Sequence, residues 1–245
     1  MKLIKYVKEG LNVERKLAKV LIKTGQIEVN NKVILDPAIN LKKDDKISYL
    51  GELIDYREYE YIALYKKEGY VSSRNDEKAP SLLNLVTDER LRKRLKIVGR
   101  LDTDTSGLIF LTDDGDFIHK VTSPKKEIEK VYYVELEKEI TKEDIFQLEK
   151  GVLIKEKNAE YLTKPARCKM LTETSVLLAI IEGRHHQVKK MMRAVGNEVT
   201  LLKREKIGPI DLEGLAPGCY RDLTEEEIKY KKQLILFYLI NFKII

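Results

Sequence analysis

The densest run of chemistry-bearing residues is 98–115, V-G-R-L-D-T-D-T-S-G-L-I-F-L-T-D-D-G. Gly99 and Arg100 lead into Leu101 and Asp102, a Thr/Ser turn follows, and an apolar strand then ends in Thr112, Asp113, Asp114 and Gly115. A carboxylate set between a cation and hydroxyl donors is favoured in its charged form. Such a group can serve as a nucleophile or a base. The plain alternative for Asp102 is a loop aspartate that only caps a turn. A second run, 182–196, reads E-G-R-H-H-Q-V-K-K-M-M-R-A-V-G. On a helix, Val188, Met191, Met192 and Val195 form one apolar stripe. His186, Lys190 and Arg193 lie opposite it and Lys189 sits on the flank. That face is either solvated or binds phosphate. His185 and His186 are expected to point in different directions, and no H-E-x-x-H spacing is present, so a metal pair is not expected. A third run, 129–134, is E-K-V-Y-Y-V, in which Tyr132 and Tyr133 take opposite faces of a strand. One can be buried while the other stacks on a ligand.

These segments must be held by the elements around them. Residues 61–65 read as a strand, 81–86 as a short helix, 108–111 as a buried strand and 130–136 as a strand. A helix over 142–149 starts at Thr141. Residues 152–154, 166–171 and 176–181 read as further strands. A helix over 184–195 stops at Gly196, and 198–202 returns as a strand. The order is not a strict βα alternation, so an α+β domain with a largely antiparallel sheet is expected.

A smaller module precedes it. Asn12 can cap a helix from Val13, with Val13, Leu17, Val20 and Leu21 as its apolar stripe. Arg15, Lys16, Lys19 and Lys23 fall to one side, and Gly25 closes the helix. Residues 26–29 and 32–35 form a hairpin about Asn30 and Asn31, which tolerate positive φ. Residues 46–50 make a last strand, and 51–59 form a short ordered connector. The first 34 residues carry eight Lys/Arg against three Glu, most of the whole chain's net charge of +6. That concentration favours a polyanionic partner.

Composition narrows the classes. With 245 residues, 43% apolar and 35% charged, the chain is expected to fold as one large domain or two smaller ones. Two cysteines, Cys168 and Cys219, give neither a disulfide framework nor a zinc site. The start carries charges every few residues and no apolar signal core, so a cytoplasmic protein is expected. The longest apolar run, 234–240, is far below the ~20 residues that span a bilayer.

Residues 2–50 resemble the alpha-L RNA-binding domain of the ribosomal S-four type. Together, the remaining motifs resemble the RsuA family of ribosomal RNA pseudouridine synthases. The family's G-R-L-D-x-x-T-x-G-L-L-L-L-T-N-D-G stands at 99–115, its E-K-x-Y-x-V at 129–134 and its E-G-R-x-H-Q-V-[RK]-[RK]-M at 182–191. Its I-G, L-A-P-G and Y-R-x-L-T-E-E-E ending lies within 204–227. The family's N-K-P-x-G is Y-K-K-E-G at 65–69, without the proline, which puts the rigidity of that loop in question.

The resemblance implies a domain of about 1–55 of the alpha-L type and a synthase domain over 58–230 with a mainly antiparallel mixed sheet flanked by helices; the apolar C-terminal extension over 231–245 lies beyond it and is read as a packed helix, with a contact to another chain as the lesser reading. It implies Asp102 as the catalytic residue, with Tyr132 stacking on the target base and Lys189 pairing with Asp102. It also implies that Arg100 shapes the RNA site; the charge pattern, rather than the resemblance, makes Arg15, Lys16, Lys19, Lys23, His186, Lys190 and Arg193 the expected RNA contacts, with a solvated face as the alternative. The implied partner is ribosomal RNA within a small-subunit assembly intermediate. The H-Q-V and A-P-G-x-Y-R forms point to 16S rather than 23S RNA. No metal, cofactor or membrane is implied, and the protein is expected to be a monomer. Two readings from other classes remain. One is a haloacid-dehalogenase-type phosphotransferase, since residues 102–105 are similar to D-x-D-x-T. The other is a non-catalytic RNA-binding ribosome factor.

Overall fold

The computed structural model describes residues 1–42, 44–75, 79–156, 159–212 and 214–229. The extension over 231–245 lies outside them. Contacts divide the chain into two units, with the boundary after Tyr59.

In the first unit, helices α1 (Leu3–Gly10) and α2 (Arg15–Lys23) pack on a four-stranded sheet. Its strands are β1 (Ile27–Val29), β2 (Lys32–Val33), β3 (Ile47–Tyr49) and β4 (Glu52–Leu53), in the order β2-β1-β3-β4. Leu3, Ile4 and Val7 of α1 join Ala18, Leu21 and Ile22 of α2 in one core with Ile27, Val29 and Ile47. This corrects the expected stripe: Leu17 and Val20 are 46% and 47% exposed. The face of α2 that meets α1 and the sheet is rotated toward Ile22. Asn12 does not cap α2 either. It takes positive φ in the turn after α1, and Glu14 occupies the cap position. Gly25 does follow α2 with positive φ, and Asn30 and Asn31 both adopt the left-handed conformation that a tight hairpin requires. The connector begins later than expected. Glu52 and Leu53 pair with β3, Ile54 is buried, and Tyr56 packs edge-on against Tyr6.

In the second unit, β5 (Tyr61–Lys66) is followed by a 3-10 turn (Leu82–Leu85), α3 (Glu89–Arg94), β6 (Lys96–Val98), β7 (Ser106–Thr112) and α4 (Gly115–Thr122). Next come a second 3-10 turn (Pro124–Lys126), β8 (Lys130–Leu136), α5 (Lys142–Lys150), β9 (Leu153–Glu156) and β10 (Ala159–Leu162). Then follow β11 (Arg167–Thr172), β12 (Ser175–Ile180), α6 (Gln187–Ala194), β13 (Val199–Ile207), β14 (Ile210–Asp211), β15 (Tyr220–Asp222) and α7 (Glu225–Lys229). The main sheet runs β11-β12-β8-β13-β7-β5-β15, with β14 paired to β13 and β6 to β7. Every pairing is antiparallel except β13 with β7. The fold is therefore the expected α+β one with a mainly antiparallel mixed sheet.

The central strands are buried on both faces, which explains their near-continuous apolar runs. Ile62, Leu64, Ile109, Leu111, Tyr132 and Val134 face one core, which Val188, Met191 and Met192 of α6 cover. Ala63, Leu108 and Phe110 face a second core with Phe117 of α4 and Ile210 of β14. Burying a side chain of this size contributes ~1.5–3 kcal/mol, so the two cores hold the strand register firmly.

Candidate active site

Backbone pairing sets the floor of the site. Lys66 on β5 lies opposite Gly107 on β7, Gly107 opposite Arg204 on β13, and Arg204 opposite Tyr132 on β8. These four residues form one row across the sheet. Gly107 has φ +110, and a Cβ there would fall 2.3 Å from the Arg204 carbonyl oxygen. Only glycine lets β7 and β13 approach this closely. Lys66 is fully buried. Its ammonium donates to the carbonyl oxygens of Thr105 (2.7 Å), Lys67 (3.0 Å) and Thr103 (3.3 Å). Arg204 is also buried, and its Nε donates to the Leu108 carbonyl at 2.7 Å.

The turn over 101–105 rests on this floor. The Thr105 N–H closes the turn on the Asp102 carbonyl at 3.1 Å. The Gly69 N–H donates to the Thr103 carbonyl at 2.8 Å, and the Ser72 hydroxyl bonds both the N–H and the carbonyl of Leu101. Although the segment at 65–69 lacks the family's proline, Lys66 and Gly69 of that segment bond directly to the turn.

Asp102 opens onto a cavity of about 480 Å³, lined also by Glu68, Gly69, Thr103, Asp104, His186 and Lys189. Its side chain is 29% exposed. His186 Nε2 stands 3.4 Å from Oδ1, and Lys189 Nζ stands 3.8 Å from Oδ2. Lys189 makes its short contact, 2.5 Å, with Asp104. That bond holds the Asp104 carboxyl below its ordinary range, against the opposing effect of burial. Lys189 is thus anchored by Asp104, and the Asp102 oxygens keep contacts longer than the ~2.8 Å of a charge-assisted hydrogen bond. They are oriented but not capped.

The entry to α6 is clamped from its own sequence. The buried Gln187 amide donates to Glu182 at 2.5 Å, and the Arg184 N–H donates to the Gln187 side-chain oxygen at 2.8 Å. The clamp delays the helix, which begins at Gln187 rather than at 184, and leaves His186 with positive φ at the cap position. His185 and His186 do not diverge as expected. Their rings stack at 3.7 Å between centroids. Among the described residues, no group of three or more His, Cys, Asp or Glu could hold a metal ion.

The site residues read from the sequence are brought together unevenly. Asp102, Lys189 and His186 meet. Tyr132 is 7% exposed, in the same apolar core as Leu101, and lies in the floor row. Arg100 is exposed, and the side chains facing Asp102 are His186 and Lys189 instead. Lys190 is half-buried, and Arg193 is exposed and paired with Glu198 at 2.9 Å. In the first unit, Arg15, Lys16, Lys19 and Lys23 are all exposed. Sequence reasoning missed Lys66, Arg204 and the clamp of Glu182 with Gln187. A lysine at the end of an apolar strand is ordinarily a solvated residue. Only its place on the same face as Ile62 and Leu64 hints otherwise.

The phosphotransferase pattern does not carry through. Ser106 stands where its threonine belongs. The preceding strand, β6, ends at Val98, with Gly99, Arg100 and Leu101 before the first aspartate.

The chain is similar to known proteins along both units. A model of the family described as RNA pseudouridylate synthase matches residues 60–194, and the S4 domain matches residues 1–47. The ribosomal small subunit pseudouridine synthase A of Escherichia coli (strain K12) is 42% identical over 230 residues, 93% of this chain and 98% of that protein. An uncharacterised RNA pseudouridine synthase of Bacillus subtilis (strain 168) is 41% identical over 87% of this chain and 91% of its own length. A crystal structure of a pseudouridylate synthase superposes with a TM-score of 0.66 at 36% identity, covering 94% of this chain and 98% of that one.

Proposed function

The chain belongs to the RNA pseudouridylate synthase family, carrying an S4 domain ahead of its synthase domain, and on that premise we propose that it isomerises one specific uridine of small-subunit 16S ribosomal RNA. The relative named for the ribosomal small subunit, matched over nearly its whole length, supports that substrate. In the reaction the bond from N1 of uracil to C1′ of ribose breaks and the base turns. A new bond then joins C5 to C1′, C5 loses its proton and N1 gains one. Atoms balance, and nothing is oxidised or reduced.

One observation carries the reading. Asp102 presents to the cavity a carboxylate that His186 and Lys189 orient at 3.4 and 3.8 Å without closing it off. A carboxylate so held can approach a flipped-out nucleotide as a nucleophile or as a base. Flipping takes ~2–4 kcal/mol of lost stacking and pairing, which contacts in the site must offset. Tyr132 supplies the aromatic surface for the base, from the floor row. Lys189 keeps Asp102 in place, and Arg100 holds RNA beside it. His186, Lys190 and Arg193 continue the phosphate contacts along α6, and the basic side of α2 adds sequence-independent affinity. The substrate is RNA within a small-subunit assembly intermediate, and the protein acts as a cytoplasmic monomer. Among the described residues no helix is long and apolar enough to cross a membrane.

Pseudouridine mapping of ribosomal RNA from cells with and without the protein tests this. Loss of a single site in 16S RNA is expected. A change confined to 23S RNA would overturn the substrate, and no change in either would overturn the function.

A further inference from the structure

A second cavity, about 430 Å³, opens on the other face of the sheet. Its floor is the neighbouring row: Tyr133 on β8 lies opposite Lys203 on β13, and Lys203 opposite Ser106 on β7. Each of these residues adjoins a member of the active-site row, and strand side chains alternate. The new row therefore backs directly onto Tyr132, Arg204 and Gly107. Tyr65, Lys67, Glu68, Glu135, Leu201 and Pro217 complete the lining. Glu68 also lines the cavity of Asp102, so the two openings meet at the turn after β5.

We propose that this second cavity is a subsite for an unpaired nucleotide flanking the target uridine, and that it takes a base with an exocyclic amino group. The lining is suited to that chemistry. The Tyr133 ring is half-exposed, with the Lys203 ammonium 5.4 Å from its centroid. Base stacking on aromatic rings recurs wherever single strands are bound. The Tyr133 hydroxyl donates to Glu135 Oε1 at 2.9 Å, which fixes the ring and leaves Oε2 of the same carboxylate to accept from an amino group. Cytosine offers such a donor and uracil does not. Lys67, exposed at the rim, is placed for the phosphate. Lys203 is held by Glu205 at 2.7 Å and shapes the wall. The two carboxylates disfavour a phosphate inside, so the base enters and the backbone stays at the rim.

This inference rests on the chain acting on RNA, so its test is one of binding and is independent of turnover. The full chain carrying Asp102→Asn is titrated into two fluorescein-labelled, unpaired decamers, one all uridine and one alternating uridine with cytidine. The mixed decamer should bind more tightly. Tyr133→Leu, added to the same chain, should weaken that decamer by roughly tenfold, while Tyr133→Phe keeps the ring and most of the affinity. Thermal melts of all three proteins check folding. Equal affinity for the two decamers, or full affinity in a folded Tyr133→Leu chain, would overturn the subsite. With the chain otherwise native, Tyr133→Leu should raise KM on a 16S transcript and leave kcat within about twofold. A native chain that forms no pseudouridine on ribosomal transcripts would sink the proposed function, and the decamer comparison would still decide the subsite.

Discussion

Lys66 and Lys189 are both lysines beside Asp102, yet they work by opposite physics. Lys66 is buried beneath the turn, and desolvation pushes its amine down to about 8, despite the opposing pull of Asp104, Glu68 and Asp102. Between about 8 and its unfolded value near 10.5, the unfolded chain binds more protons than the folded one. Stability contributed by this group therefore rises with pH across that window. Function should move the other way. The ammonium has three N–H donors for three carbonyls, and the neutral amine has two. Turnover should fall above about pH 8 while the melting temperature does not fall with it. Lys130 is pushed to about 8 by burial as well, so Lys66→Met separates the two. The variant should lose roughly tenfold or more in turnover through a loosened turn, and its profile should lack the limb near 8. A Lys66→Met enzyme with the full limb would assign it to another group. Lys189 is a flank residue at 17% exposure, tied to Asp104. Lys189→Met keeps the stem packed but frees both aspartates. Turnover should drop by roughly a hundredfold, while Lys189→Arg retains more because a cation still bridges the pair. Turnover by the Met variant equal to that of the native protein would remove Lys189 from the site.

At the scale of elements, the site depends on how closely β7 and β13 approach. Gly107→Ala would drive a methyl group into the Arg204 backbone at a φ that disfavours side chains. It should destabilise the protein by ~2 kcal/mol or more, read as a lowered melting temperature. An unchanged melt would mean that the strands part easily. Much of this framework was legible in the sequence. The strand at 130–136 and the helix capped by Thr141 stand as read, because alternation and a capping box are local signals. Helices α1, α7, α3 and α4 were not read. Each is short, and the caps of the last two, Asp88 and Asp114, sit in polar runs that look like loops. The apolar side of α2 was read one step out of register, since a stripe of Leu and Val does not say which neighbour it meets. The place of Asp102, in a polar turn just before an apolar strand, was legible in the motif. Its support by Lys66 was not, because burial of that lysine follows from tertiary pairing alone.

For the whole molecule, basic residues proposed to meet RNA stand on both units and the proposed chemistry on one. The first carries the exposed cations Arg15, Lys16, Lys19 and Lys23, and the second carries the carboxylate. If α2 meets phosphates, RNA affinity should fall with salt at a log–log slope of ~0.7–0.9 per contact. Changing Arg15, Lys16 and Lys19 together to Gln should flatten that slope and weaken binding, without altering the turnover of bound RNA. An unchanged slope would make this face merely solvated. The central claim rests on one carboxylate and is tested most directly by replacing it. Asp102→Asn is nearly isosteric, so the protein should fold and bind ribosomal RNA as before. Pseudouridine formation on 16S RNA, measured alongside a melt and a binding curve, is the decisive quantity. The account predicts native melting, native affinity and no detectable product. Substantial pseudouridine formation by the folded Asp102→Asn protein would contradict it.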